Sequence, residues 1–133
     1  MINDQMDTFF KSKAFAVIGA SSNRGKYGNK VLRCYLQNGK KVYPVNPRED
    51  LIEGLSVYSS VRDLPDEVES ISIITPAAVT EKVVEEAIQK GIKNIWMQPG
   101  AESNDAIQNC KQHKINLIAG GPCILIVLDY RDH

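Results

Sequence analysis

The sequence predicts an α/β fold, a Rossmann-like doubly wound parallel sheet of five strands, in one domain spanning residues 1–133. Short apolar runs alternate with segments of helical periodicity along almost the whole chain, without a linker, a repeat or a low-complexity stretch. The apolar runs are nearly continuous, as in parallel strands that are covered on both faces. Because crossovers between parallel strands are right-handed, this alternation winds helices onto both faces of one sheet.

Each predicted strand ends in small or imino residues, which together form a rim at one edge of the sheet. The strands span residues 14–18, 41–45, 71–75, 94–98 and 116–119. Helices are expected over residues 27–38, over residues 79–88 and after the capping residue Ser103. We expect the strand order 3-2-1-4-5, with a ligand at the carboxyl ends of the strands beside the first strand.

The amino-acid composition excludes several classes of function. Sixteen basic residues balance sixteen acidic ones, so the chain offers no broad electrostatic surface to nucleic acid or to an anionic membrane. No apolar run approaches the roughly 20 residues of a membrane span. Three widely spaced cysteines make neither a disulfide framework nor a zinc site, so we expect a cytoplasmic protein without a metal.

The segment around the end of the first strand carries the strongest functional signal. Residues 14–28 read AFAVIGASSNRGKYG, in which the apolar strand stops at Gly19 and a helical pattern follows. Backbone amides in such a loop, at the positive end of a helix, suit a phosphate or diphosphate. The loop departs from the dinucleotide fingerprint, because Ser21 replaces the second glycine and Gly25 and Gly28 come late.

The end of the second strand bears on the kind of nucleotide. It reads Val45-Asn46-Pro47-Arg48, so no carboxylate stands at the tip, where nicotinamide enzymes bind the ribose hydroxyls; Glu49 lies beyond the proline. Arg48 is a candidate partner for a ribose phosphate, which fits NADP and also the 3′-phosphate of coenzyme A. A solvated arginine in a capped turn is the alternative.

Four segments together resemble the CoA-binding domain family, whose small members are similar to the N-terminal domain of the succinyl-CoA synthetase alpha subunit. The segments are Gly19-Ala20-Ser21, Val45-Asn46-Pro47, Thr75-Pro76 and Trp96-Met97-Gln98-Pro99-Gly100. The resemblance implies that the first loop holds the CoA diphosphate and that the second strand's end contacts the nucleotide. It further implies that the third strand's tip lines the adenine side and that the fourth meets the inner part of the ligand.

The loop and the resemblance together give a set of expected cofactor-binding residues. They are Gly19, Ala20, Ser21, Ser22, Asn23, Arg24, Gly25, Lys26, Tyr27, Gly28, Asn46, Pro47, Arg48, Thr75, Pro76, Met97, Gln98 and Pro99. Tyr27 is expected either to pack under the loop, which is favoured, or to stack near a base.

We expect binding of coenzyme A or an acyl-CoA without catalysis. The synthetase carries a phosphorylated histidine in a second domain for which this chain has no room, and His113 and His133 are expected to be solvated. The alternative is an NADP- or NAD-binding oxidoreductase-like or redox-sensing domain, although neither a catalytic Tyr-Lys pair nor a ribose carboxylate stands out. A structural module without a ligand is the third class.

Two features near the end of the chain stay open. The apolar run over residues 124–128 either covers the sheet edge or packs against a second copy, which would make a homodimer. Cys123 is either a small buried residue, which is favoured, or a thiol close to the inner end of the bound CoA.

Overall fold

The computed structural model describes residues 2–132, so His133 lies outside the described residues. Its helices are α1 Ile2–Phe9, α2 Tyr27–Gln37, α3 Ala77–Lys90, α4 Asn104–Gln112 and α5 Ile124–Val127. Its strands are β1 Ala14–Ile18, β2 Val42–Val45, β3 Leu51–Ile52, β4 Leu55–Ser56, β5 Val68–Ile73, β6 Asn94–Met97 and β7 Asn116–Ile118. A 3-10 turn spans Val61–Asp63. Within residues 2–132 no helix is long and apolar enough to cross a membrane.

Five strands form one parallel sheet in the order β2-β1-β5-β6-β7, while β3 and β4 form a separate antiparallel hairpin. The predicted fold class, a Rossmann-like doubly wound parallel sheet, is confirmed. One placement within the expected order 3-2-1-4-5 is corrected. The third predicted strand, which is β5, lies beside β1 and not outside β2.

The position outside β2 is taken by a single residue. Tyr58 forms an isolated parallel bridge with Val45, and its amide donates to the carbonyl of Pro44 at 3.0 Å. If this bridge is counted as a strand position, the sheet has six positions in the order 3-2-1-4-5-6, in which β5 is the fourth. β5 belongs in the middle because it is buried on both faces, and an apolar pattern alone does not separate a central strand from its neighbours.

Alternate residues of each strand point to opposite faces of the sheet. Ala14, Ala16 and Ile18 pack in a core with α3 and α4, whereas Phe15 and Val17 pack in a core with α1, α2 and α5. The two cores hold the sheet rigidly between helical layers. The carboxyl ends of β1, β2 and β5 therefore meet at one fixed edge.

Sequence signals for helix ends agree with the structure at two places. The Ser103 hydroxyl accepts a hydrogen bond from the Ala106 amide at 3.3 Å and caps α4. Gly91 ends α3 with φ near 90°, a left-handed conformation that favours glycine. His113 is exposed at the end of α4, as expected.

Three elements were not expected from the sequence: α1, the β3–β4 hairpin and the helical form of the last apolar run. α1 is polar overall, and Phe9 is its buried residue. The last run forms α5, which contacts α2; Ile124 is fully buried there, whereas Ile126 is 79% exposed. α5, with four residues, and the two-residue strands of the hairpin are too short to show a period. α1 lacks a clear apolar signal because Phe9 is its one buried residue.

Candidate nucleotide-binding site

Two glycines bring the start of α2 against the end of β1. Gly19 has φ near 96°, and a Cβ atom there would lie 3.2 Å from the Ile74 carbonyl oxygen. A Cβ atom on Gly28 would overlap the carbonyl oxygen of Gly19. These are the roles of the tight-turn glycine and the close-packing glycine in a dinucleotide loop. The late Gly28 therefore serves the packing role across a longer loop.

The loop between them is shaped by its own side chains. The Asn23 amide donates to Ser21 Oγ at 3.1 Å, and the Gly25 amide donates to Asn23 Oδ1 at 3.0 Å. Ser22, Asn23, Arg24 and Gly25 are exposed along this loop. Short polar side chains thus hold the backbone in a turn that is open to solvent on its outer side.

Two buried polar residues of α2 support the loop from beneath, and sequence reasoning missed both. Asn29 Nδ2 donates to the Ser21 carbonyl at 2.8 Å, and Arg33 Nη2 donates to the Arg24 carbonyl at 2.9 Å. Arg33 Nε also donates to Asn29 Oδ1 at 2.6 Å. The available signal was the spacing of these two polar residues by one helical turn beside the apolar stripe of α2.

Two carboxylates from the segment after β2 contact the same loop, and sequence reasoning did not assign them to the site. The Ser22 amide donates to Glu49 Oε2 at 3.1 Å. Arg24 Nη1 lies 2.6 Å from Glu53 Oε1, and Asn29 Nδ2 donates to Glu53 Oε2 at 3.1 Å. Hydrogen bonds from Ser22 lower the pKa of Glu49. Those from Asn29, with the charge of Arg24, lower the pKa of Glu53.

A cleft of about 610 Å³ opens between the loop, the end of β2 and the end of β5; we call it the carboxyl-edge cleft. The predicted residues that line it are Gly19, Ala20, Ser21, Lys26, Tyr27, Gly28, Asn46, Arg48, Thr75 and Pro76. Asn46 joins its walls, because its Nδ2 donates to the Ala20 carbonyl at 2.8 Å. Within residues 2–132 the exposed Arg48 guanidinium has no ion-pair partner.

An apolar slot of about 270 Å³ adjoins this cleft on the side of α3. Its walls include Val45, Val61, Val79 and Val83, and the predicted Pro47 also lies there. The slot and the cleft share Gly19, Asn46 and Thr75 as lining residues. A flat apolar group and a charged group of one molecule can therefore be accommodated side by side.

The tip of β6 is turned away from the cleft. Met97 and Gln98 are buried, while Pro99 is exposed. Gln98 Oε1 accepts from Tyr27 Oη at 3.1 Å and from the Ile124 amide at 3.0 Å. Gln98 thus reaches the cleft only through Tyr27, whose ring lies in its wall.

Tyr27 is half-buried and packs on the core that contains α2. Burial and its contact with Cys123 Sγ, which lies 2.6 Å from Tyr27 Oη, raise the pKa of the phenol. Cys123 is itself half-buried, whereas Cys34 and Cys110 are buried, and burial raises the pKa of each buried thiol to about 11. Among residues 2–132, no cluster of His, Cys, Asp and Glu side chains is arranged to hold a metal ion.

The geometry defines a class of protein: a Rossmann-like domain with a glycine-bounded loop between β1 and α2 at the switch point of a parallel sheet. The chain matches the family described as the CoA binding domain over residues 13–129. It belongs to that family, as the resemblance in the four segments implied.

Comparison with known proteins gives close relatives of two kinds. An ADP-forming acetate–CoA ligase II of Archaeoglobus fulgidus is 46% identical over 94 residues, which is 69% of this chain and 14% of the ligase. The chain spans between 12% and 20% of the length of the first curated ligases it matches.

Solved structures of small proteins align over nearly their whole length. A conserved hypothetical protein from Pyrococcus furiosus has a TM-score of 0.82 and 41% identity, covering 86% of this chain and 98% of that one. A hypothetical protein from Pyrococcus horikoshii has a TM-score of 0.87 and 29% identity, covering 95% of this chain and 88% of that one.

Proposed function

We propose that this domain binds coenzyme A or an acyl-CoA in the carboxyl-edge cleft and has no catalytic activity of its own. The observation that supports this most directly is the placement of three features side by side. A loop at the start of α2, the unpaired Arg48 and the apolar slot line one continuous surface. CoA carries a diphosphate, a 3′-phosphate and an adenine, which match these features in chemistry.

Each part of the ligand has a candidate partner. The start of α2, where the helix leaves its first N–H groups free of helical partners, suits the diphosphate. In the preceding loop the Ser22, Asn23 and Gly25 amides donate to side chains of the protein. Arg48 suits the 3′-phosphate through a charge-assisted hydrogen bond. The valines of the apolar slot, with Thr75 and Pro76 beside them, suit the adenine ring. Met97, Gln98 and Pro99 are assigned less directly, because none of them lines the cleft.

An NADP- or NAD-binding domain is the alternative; one feature of the site supports it, and one feature that it requires is missing. Arg48 also fits the ribose phosphate of NADP. The first carboxylate past the end of β2, Glu49, lies beyond Pro47 and accepts the Ser22 amide of the loop, so no carboxylate stands at the tip of β2 where ribose hydroxyls are bound. This arrangement favours a CoA-type ligand over NAD.

Catalysis is not included in the proposal because, among the described residues, no hydrogen bond joins any two of the titratable side chains Lys26, Tyr27 and Glu49 that line the cleft into an acid–base pair. His113 lies at the exposed end of α4, outside the lining of the carboxyl-edge cleft. Ligase chemistry belongs to the relatives named above and is not carried over. The cytoplasm remains the expected compartment, and a homodimer remains a prediction that the mass of the protein in solution can test.

Titration calorimetry on the wild type and on Arg48→Ala tests the proposal. CoA should bind more tightly than NAD, NADP or ATP. If Arg48 pairs with the 3′-phosphate, its loss should cost about 1–3 kcal/mol of binding free energy with CoA and little with 3′-dephospho-CoA. Arg62→Ala, at the exposed partner of Glu86, is the charge-matched control. Tighter binding of NAD than CoA would overturn the proposal in favour of a redox domain.

A further inference from the structure

The loop at the start of α2 already holds an anion that belongs to the protein. Glu49 Oε2 accepts the Ser22 amide at 3.1 Å and lies 3.4 Å from Asn46 Nδ2. The bond joins residues 27 positions apart in the sequence. By contrast, the amides of Asn23 and Gly25 donate to side chains two residues away. The acceptor at Ser22 thus comes from a separate segment and can be exchanged without unfolding the loop.

A carboxylate and a phosphate use the same donors. Backbone amides in a loop of this kind bind anionic oxygens, and a charge-assisted bond is shorter and stronger than a neutral one. Glu49 lines the carboxyl-edge cleft together with Ser21 and Lys26, so its carboxylate lies where a ligand's phosphate would come. Two anions on one amide repel each other, and one of them must leave.

We propose that Glu49 is a built-in competitor of the ligand's phosphate at the Ser22 amide and thereby determines which anions the site accepts. The proposal rests on the function proposed above. An anion that offers no more than a carboxylate gains nothing by replacing Glu49. A diphosphate, which carries more charge and more acceptor oxygens, displaces it. The site therefore selects diphosphate-bearing ligands against simple carboxylates.

The chain offers a matched control for this idea. Asp50 neighbours Glu49 and is exposed, and its backbone carbonyl accepts a hydrogen bond from the Val57 amide. Glu49→Gln and Asp50→Asn each remove one negative charge from the same turn. Only the first removes a carboxylate that is bound to the loop.

The experiment has a ligand-free arm and a binding arm. In the free protein, the amide proton resonance of Ser22 should move in Glu49→Gln and stay in place in Asp50→Asn. In calorimetric titrations with CoA and with inorganic pyrophosphate, Glu49→Gln should bind each about tenfold more tightly, as expected for losing one charge-assisted competitor. Asp50→Asn should change affinity less than twofold, and acetate should bind neither the wild type nor Asp50→Asn.

The outcomes separate this inference from the function it rests on. An unmoved Ser22 resonance in Glu49→Gln, or equal affinities in Glu49→Gln and Asp50→Asn, would overturn the competitor role. Pyrophosphate that binds more tightly to Glu49→Gln while CoA binds no variant would support the competitor role and reject the CoA function. If neither CoA nor pyrophosphate shifts the Ser22 amide resonance in any variant, both the competitor role of Glu49 and the proposed CoA function are overturned.

Discussion

The amino and carboxyl edges of the sheet carry clefts of similar size, but their polar groups find hydrogen-bond partners in different ways. At the amino edge a cleft of about 500 Å³ lies beside α1. There Asn116 Nδ2 donates to Asn94 Oδ1 at 3.0 Å, and Asn94 Nδ2 donates to Ser70 Oγ at 3.0 Å. Ser70 Oγ in turn donates to the Phe9 carbonyl at 2.7 Å and ties α1 to the sheet.

The carboxyl edge is built from contacts that can be exchanged. Its loop amide at Ser22 and the guanidinium of Arg24 are held by carboxylates from the segment after β2. Arg24 and Glu49 are accessible to solvent, whereas the amino-edge residues Ser70 and Asn94 are buried. Cleft volume does not distinguish the two edges. The difference is that the amino edge contains a chain of buried polar groups that stabilises the fold, whereas the loop contacts of the carboxyl edge are made by solvent-accessible side chains.

The largest expected effect comes from Gly28→Ala, which attacks the steric basis of the carboxyl edge. The new Cβ would overlap the Gly19 carbonyl oxygen, so α2 must shift away from β1. We expect the free energy of unfolding to fall by about 3 kcal/mol, as for overpacked sites, together with loss of CoA binding. Urea denaturation measures the first effect and calorimetry the second.

Gly25→Ala is the matched control for that change. Its new Cβ would meet Asn23 Oδ1 at 3.4 Å, an ordinary contact. The free energy of unfolding should change by less than about 0.5 kcal/mol. Equal destabilisation of the two variants would show that the loop is intolerant of any side chain and that close helix–strand packing is not the cause.

Ser21→Asp tests the electrostatics of the same edge without changing its packing. Ser21 lines the cleft and is half-buried. A second negative charge near Glu49 repels the ligand diphosphate and neutralises the positive end of α2 that would attract it. We expect CoA affinity to fall about a hundredfold while the urea midpoint moves little; Ser21→Asn is the uncharged control. Unchanged affinity would mean that the ligand binds elsewhere.

Asn94→Ala tests the opposite edge. It removes the centre of the polar chain that joins Asn116 to Ser70. The buried Ser70 Oγ loses the donor Asn94 Nδ2, whereas Asn116 Nδ2 keeps its bond to the Gln5 carbonyl. Buried unsatisfied groups cost about 1–3 kcal/mol, so the free energy of unfolding should fall by about 2 kcal/mol. CoA affinity should stay within twofold of the wild type. A loss of binding at constant stability would contradict the division of roles between the edges.

The same division explains how much the sequence could predict. The five strands of the sheet and the loop at Gly19 followed from apolar periodicity and from the small residues at the strand ends, which are local signals. The family followed from the resemblance of four short segments to known proteins. The support of the loop by Asn29 and Arg33, and the contact of Glu49 with Ser22, join segments that only the folded chain brings together. α1 was missed because a single buried residue, Phe9, gives no periodic signal, and because the rest of its attachment includes polar bonds such as Gln5 Nε2 to the Leu117 carbonyl at 2.8 Å.

The order of the strands marks a second limit of the sequence. An apolar run such as β5 predicts a buried strand but does not identify the strands beside it. We expected β5 outside β2, but that position is occupied by the single-residue bridge of Tyr58. The inner part of the proposed site shows the same limit. Met97 packs in the core. The Gln98 side chain accepts hydrogen bonds from Tyr27 and from the Ile124 amide.

The smallest expected effect concerns Cys123, where the carboxyl edge meets α5. Its Sγ lies 2.6 Å from Tyr27 Oη, and Tyr27 lines the cleft, so the thiol is separated from the cleft by one side chain. In its thiolate form it can attack a sulfur of CoA disulfide; the CoA–CoA bond breaks, a Cys123–CoA disulfide forms and one CoA thiolate leaves. Intact-protein mass spectrometry after incubation with CoA disulfide should show a minor adduct of CoA mass in the wild type and none in Cys123→Ser. The control Cys110→Ser, which removes a buried thiol, should form the same adduct as the wild type. An adduct that persists in Cys123→Ser, or that never forms in the wild type, would show that Cys123 does not react with the ligand and only packs the protein. Either result would leave the proposed non-covalent binding of CoA unaffected.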